Sequence, residues 1–334
     1  MNDLGVSETK PPPMGGRLEL ARRTNPLWKR SEAGKRIGVV GDPLIAPGAS
    51  VFTLGSCFAQ NIRLALTDSG HRAHPDYESI EIDTASQMAG PLGHINYYTT
   101  FSIRQEFERV LSPTFEAYHL PVKPGAWKIE DVGQSGAEPW EALFQDPLRH
   151  GVVAATEPGI LDVMTKVDNL TRTAIESADA FILTLGLVES WIDTETDRHV
   201  WSARAATVSP DKDRFRFHRS DYGENYENMA WVCEAVAERF PGRPIIVTVS
   251  PVGLLRTFTD DDVVVANSYS KSVLRAVAGA LSSEYSHVSY WPSYELAMAA
   301  DVFKEDGRHV QREAVDHIVD TFLQAHASSG EGGS

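Results

Sequence analysis

The stretch Val51-Phe-Thr-Leu-Gly-Ser-Cys-Phe-Ala-Gln-Asn61 constrains the fold more than any other part of the chain. Val51 to Leu54 are β-branched or apolar throughout, the composition of a short strand covered on both faces. Gly55 then permits backbone angles closed to other residues. Apolar residues recur at Phe58, Ile62, Ala65 and Leu66, the spacing of one helix face. A strand, a tight corner and a helix in immediate succession form the repeating unit of a parallel α/β sheet. Such a corner carries a small nucleophilic side chain, Ser56 or Cys57, to the carboxyl end of the strand. There it faces the unpaired N–H groups of the helix, which can stabilise an oxyanion. The local pattern fits equally a buried Ser-Cys corner that merely begins a helix.

The alternation continues along the chain. Ile37 to Val40 reads as a small strand, Phe181 to Leu185 and Ile245 to Val249 as fully buried ones, and His287 to Trp291 as another. Between them, apolar residues at helical spacing predict helices around Ile103 to Leu111, Ile160 to Ile175, Tyr226 to Phe240, Asn267 to Leu281 and Ala314 to Leu323. The expectation is an α/β fold with about five parallel strands covered by helices on both faces and interrupted by loop insertions. Residues 36–326 read as a single domain, residues 1–35 as a polar, flexible segment and residues 327–334 as a disordered tail. The two irregular inserts, Pro113 to Pro158 and Trp191 to Ser220, are expected to border a cleft. Loops at the carboxyl ends of parallel strands build the sites of open α/β sheets.

Charge and composition narrow the function classes. The chain has 334 residues, with 31 lysines and arginines against 46 acids and a net charge of -15. That balance opposes nonspecific binding to nucleic acid or to an anionic membrane, and suits a neutral partner such as a sugar. With no apolar run long enough for a signal peptide or a membrane span, the expected location is cytoplasmic. No G-x-G-x-x-G fingerprint follows Ile37 to Val40. His71 and His74 lack further ligands at metal-site spacing and read as surface residues. Neither a metal nor an organic cofactor is therefore expected. The two cysteines are too few for a disulfide scaffold, and Cys233, on one helix face with Met229, Val236 and Phe240, reads as core.

Gly55-Ser-Cys-Phe-Ala59 resembles the signature of the GSCFA family, itself similar to a branch of the SGNH (GDSL-like) esterases and acyltransferases. Thr184-Leu-Gly-Leu-Val-Glu-Ser-Trp191, Thr248-Val-Ser-Pro-Val252, Ala266-Asn-Ser-Tyr-Ser-Lys271, Trp291-Pro-Ser-Tyr-Glu295 and Asp306-Gly-Arg-His309 resemble further motifs of that family, in the same order. The resemblance implies a flavodoxin-like, three-layer α/β/α sandwich of the SGNH-hydrolase kind. It also implies a serine-dependent acyl ester hydrolase that removes acyl groups such as acetyl from a carbohydrate. Two alternatives stand beside it: an O-acyltransferase acting on a glycan in polysaccharide biosynthesis, and a carbohydrate-binding protein on a degenerate esterase scaffold. The expected partner is a small-molecule or glycan ester.

Residue by residue, the resemblance makes Ser56 the nucleophile, as the first residue after the strand, with Cys57 already inside the helix. Asp306 and His309 form the D-x-x-H block before the last helix. A serine hydroxyl needs a base, and that imidazole needs a carboxylate to orient it. The oxyanion would be held by the N–H groups of Ser56 and Cys57, with Gly93 and Asn96 as further donors. Where SGNH enzymes have a Gly-x-Asn-Asp block this chain has Gly186-Leu-Val-Glu189, and an ionised glutamate cannot donate a hydrogen bond. Glu189 and Trp191 are expected to line the cleft, with Trp127 and Trp140 offering flat faces to sugar rings. For Lys271 no chemistry suggests itself beyond holding the wall of the cleft.

Overall fold

The computed structural model describes residues 44–83, 86–89, 95–129, 139–300, 303–305 and 307–326. The expected strand at Ile37 to Val40, the segment 1–35, the tail 327–334, Gly93 and Asp306 lie outside the described residues.

Five strands form a parallel sheet: β1 (Ser50–Gly55), β2 (Arg72–His74), β3 (Ala180–Leu185), β4 (Ile245–Val249) and β5 (Val288–Trp291). Their order in space is β5-β4-β3-β1-β2, and every pairing is parallel. The apolar runs predict β1, β3, β4 and β5. They do not predict β2, which lies in the stretch read as a loop carrying surface histidines. β2 is three residues long, Arg72-Ala-His74, and none of them is fully buried, so it carries no continuous apolar run. His71 beside it is buried rather than exposed, and His74 is half-buried.

Helices cover both faces, as strand alternation requires. Phe52, Leu54, Phe181, Leu183, Ile245 and Val247 point to one side, into a core shared with α2 (Thr100–Leu111), α3 (Glu157–Ser177), α4 (Tyr222–Arg239) and α5 (Val263–Glu284). Val51, Ile182 and Ile246 point to the other, against Phe58, Ile62 and Leu66 of α1 (Cys57–Asp68) and Val315, Ile318 and Phe322 of α6 (Arg312–His326). The result is a three-layer α/β/α sandwich. Cys233 is fully buried in the larger core, and burial pushes its thiol up to about 12. Among the described residues, no helix is long and apolar enough to cross a membrane.

The inserts are structured. Short antiparallel strands run between residues 87 and 154, and a three-stranded antiparallel sheet orders Arg198–Val200, Glu189–Asp193 and Phe215–Arg219. Their apolar residues form a third core around Trp127, Val153, Trp201 and Phe215. Their residual periodicity is weak because each strand is only two to five residues long.

A buried ionic cluster joins the first insert to the helices. Arg149, with no exposed surface, donates from Nε to Glu106 of α2 at 2.8 Å and from Nη1 to Asp168 of α3. Arg109 of α2 donates to Asp146 at 2.8 Å and to Asp168 at 2.7 Å. Burial alone would disfavour the Arg149 charge, but Glu106 and Asp168 outweigh it and hold the guanidinium above its ordinary range.

Replacing Arg149 with Met leaves Glu106 charged and without that partner, which should destabilise the fold by about 3–5 kcal/mol. Lys166→Ala breaks an exposed pair with Asp162 and should cost under about 0.5 kcal/mol. Urea denaturation midpoints of the two variants check the contrast, and similar midpoints would refute it.

Candidate active site

Gly55 ends β1 with φ +145°, and a Cβ there would overlap the carbonyl oxygen of Thr184 on β3. Only glycine combines that angle with that proximity. Ser56 follows as the N-cap of α1, and its Oγ accepts a hydrogen bond from the Phe58 N–H at 3.3 Å. The helix starts at Cys57, which matches the position expected for each residue of the corner.

Other chain segments close on this corner. The Tyr97 N–H donates to the Gly55 carbonyl at 2.8 Å, and the Leu187 N–H to the Tyr98 carbonyl at 2.8 Å. A Cβ on Gly186 would sit 2.6 Å from the Tyr98 oxygen and 3.3 Å from the Ser56 Cβ. Ser56 is therefore walled by the loop after β3 and by residues 95–98, and is 3% exposed.

The helix-end donors are unequally engaged. The Ser56 N–H reaches the Thr184 carbonyl at 3.4 Å, so it is not a free donor. The Cys57 N–H, in the first turn of α1, is turned toward the residue's own Sγ. Asn96 is buried close by, and its side chain bonds the Tyr98 hydroxyl, whose acidity burial has weakened, up to about 12.

Cys57 is half-buried. Burial pushes its thiol up, and the nearby Arg308 and Lys271 only partly offset this. A protonated thiol is a weaker nucleophile than a thiolate. Arg308 brings the C-terminal motif near the corner, because His309 follows it. The His309 ring Nε2 lies 3.4 Å from Arg308 Nη1, and the Lys304 N–H donates to the His309 carbonyl at 2.7 Å.

A cleft of about 470 Å³ opens beside these groups, with Tyr98, Leu187 and Arg308 on its wall. Glu189 and Trp191 line it. Glu189 is turned inward, its carboxylate accepting from Thr257 Oγ1 at 2.6 Å and from the Phe258 N–H at 3.0 Å. It fastens the loop after β4 to the cleft and presents no donor. Trp127 and Trp140 are placed elsewhere. Trp127, 8% exposed, lies in the insert core beside Trp201, and half-buried Trp140 packs against that core. Trp201, not singled out for this role by sequence, reaches the cleft wall. A Ser–His pair, Ser190 Oγ to His199 Nδ1 at 2.8 Å, alternates away from Glu189 and Trp191 along their strand. Its imidazole stacks on Phe101, and burial lowers it to about 3, so the pair docks the insert sheet on α2.

The Ala266-Asn-Ser-Tyr-Ser-Lys271 stretch acquires a role here. Asn267, Ser270 and Lys271 share one face of α5 at i, i+3 and i+4. Asn267 Oδ1 accepts from the Leu254 N–H at 3.0 Å, and Ser270 Oγ from the Val188 N–H at 3.2 Å. Lys271 Nζ donates to the Gly186 and Val252 carbonyls, each at 2.8 Å. Helical spacing of three polar residues on an otherwise buried face is the signal that could have exposed this.

Burial pulls the Lys271 ammonium down from 10.5 to about 7. Between those values the unfolded chain holds a proton that the folded one has released, so stability should rise with pH across that window. Relative to Lys271→Met, the wild type should gain in melting temperature from pH 7 to pH 9. A difference independent of pH would show that the folded lysine stays charged.

No curated protein matches the chain. The model of the GSCFA family matches residues 50–322, and the chain belongs to that family.

Proposed function

We propose that this protein is a serine-dependent acyl ester hydrolase of the SGNH kind, acting on acyl groups such as acetyl carried by a carbohydrate. The observation that carries the reading is the Ser56 corner: a hydroxyl at a helix N-terminus, at the carboxyl edge of a parallel sheet, enclosed by segments whose Tyr98 and Leu187 line a cleft. Raised thiol protonation at Cys57 supports serine over cysteine.

Ser56 Oγ attacks the ester carbonyl carbon while His309 takes its proton, with Asp306 orienting the imidazole. The carbonyl oxygen becomes an oxyanion held by the Cys57 N–H, with Gly93 and Asn96 as further donors. Collapse breaks the bond to the sugar oxygen, which leaves with the proton from His309. Water then attacks the acyl-serine under the same base, releasing the carboxylic acid and restoring Ser56.

Ser56→Ala should abolish nearly all hydrolysis of nitrophenyl acetate and all labelling by a fluorophosphonate. Cys57→Ala should keep most of the activity and lose about 1–2 kcal/mol of stability. Labelling that survives Ser56→Ala and disappears in Cys57→Ala would overturn the serine mechanism. A wild type that never labels would favour a binding protein. Product formation that accelerates only when a glycan is added would favour acyl transfer.

A further inference from the structure

The charge of the cleft is opposite to that of the chain. Arg204, Arg256 and Arg308 all stand on its wall, each from a different segment. Among the described residues its one lining acid, Glu189, is 8% exposed and directs both carboxylate oxygens inward to Thr257 and Phe258. No carboxylate lies within ion-pair reach of Arg204 or Arg256 among the described residues, although the whole chain carries a net charge of -15. Arg204 is steered by the face of Trp127, 5.0 Å from its guanidinium carbon. Arg308 is steered by its Nε bond to the Gly253 carbonyl at 2.8 Å. Between the cations, Trp191, Trp201 and Phe258 provide aromatic surface. A concave site with apolar walls focuses the field of its charged rim. Guanidinium groups bind planar carboxylates and phosphates in a bidentate manner that a neutral hydroxyl cannot reproduce.

We propose that the cleft recognises an anionic sugar, one bearing a carboxylate or a phosphate, as the alcohol portion of the ester. The ester chemistry rests on the proposed function, whereas the anion preference concerns binding alone and is tested without an ester. The bulk charge keeps polyanions off the rest of the surface, and the three arginines make the cleft the place where a short anionic glycan is favoured.

The test is calorimetric titration of the full chain with three non-acylated probes: a hexuronate trimer, a neutral hexose trimer and a hexose phosphate. At low salt at least one charged probe should bind about tenfold or more tightly than the neutral trimer, with the gap shrinking as salt rises. The tighter of the two charged probes identifies carboxylate or phosphate as the recognised group. Arg204→Gln combined with Arg256→Gln should erase most of that gap. Both side chains are exposed, so circular dichroism should show the fold retained. Equal binding of charged and neutral probes, no binding of any probe, or an unchanged gap in the double variant would each overturn the proposal. Because these probes carry no acyl group, a protein that shows the preference yet never labels at Ser56 refutes the hydrolase reading alone. One that labels at Ser56 but shows no preference refutes only the anionic substrate.

Discussion

Three backbones approach one another at the carboxyl edge of the sheet more closely than side chains would allow, and the arrangement of the site depends on that approach. Gly55 packs onto the Thr184 carbonyl, and Gly186 packs onto the Tyr98 carbonyl and the Ser56 Cβ. The approach draws β1, the loop after β3 and residues 95–98 into hydrogen-bond register, through Tyr97 to Gly55 and Leu187 to Tyr98. Ser56 sits where these segments meet. Its position is thus set by main-chain contacts, which resist displacement better than a side chain held by other side chains would.

The loops after β3 and β4 are also held from below. Lys271 bridges the Gly186 and Val252 carbonyls from a fully buried position, while Asn267 and Ser270 take neighbouring N–H groups from the same helix face. Glu189 does the equivalent from above, fastening Thr257 and Phe258. Polar side chains that look like candidates for chemistry are here saturated by backbone partners. A buried polar group is costly unless it is so engaged, and once engaged it makes its loop rigid.

Legibility from sequence follows the same physics. The strands with two packed faces announce themselves as apolar runs, so β1, β3, β4 and β5 are readable. β2, three residues long and nowhere fully buried, has no such run, so it reads as a loop. The Ser56 corner is readable because glycine, a capping residue and a helical period coincide within a few positions. Glu189 and Trp191 were placed at the cleft by their nearness to the end of β3. Trp127 and Trp140 were misplaced because a tryptophan in an insert can face a cleft or a small core, and composition does not distinguish the two. The arginines of the cleft come from segments separated by some fifty residues each. No local pattern can announce such a convergence, and a whole-chain charge of the opposite sign conceals it.

The ionic cluster around Arg149 has a consequence for how freely this architecture could be pruned. Residues 112–156 connect α2 to α3, and a shorter linker could span two helices that already pack together. Yet Asp146 and Arg149 lie within that connection, and their partners Glu106, Arg109 and Asp168 belong to the helices. Excising the connection would strand Glu106 without a counter-ion inside the protein and leave Asp168 with half of its guanidinium partners. What resembles a decoration on an α/β scaffold is therefore an electrostatic component of that scaffold, and a minimal version of the protein would need apolar replacements on both helices before the segment could be removed.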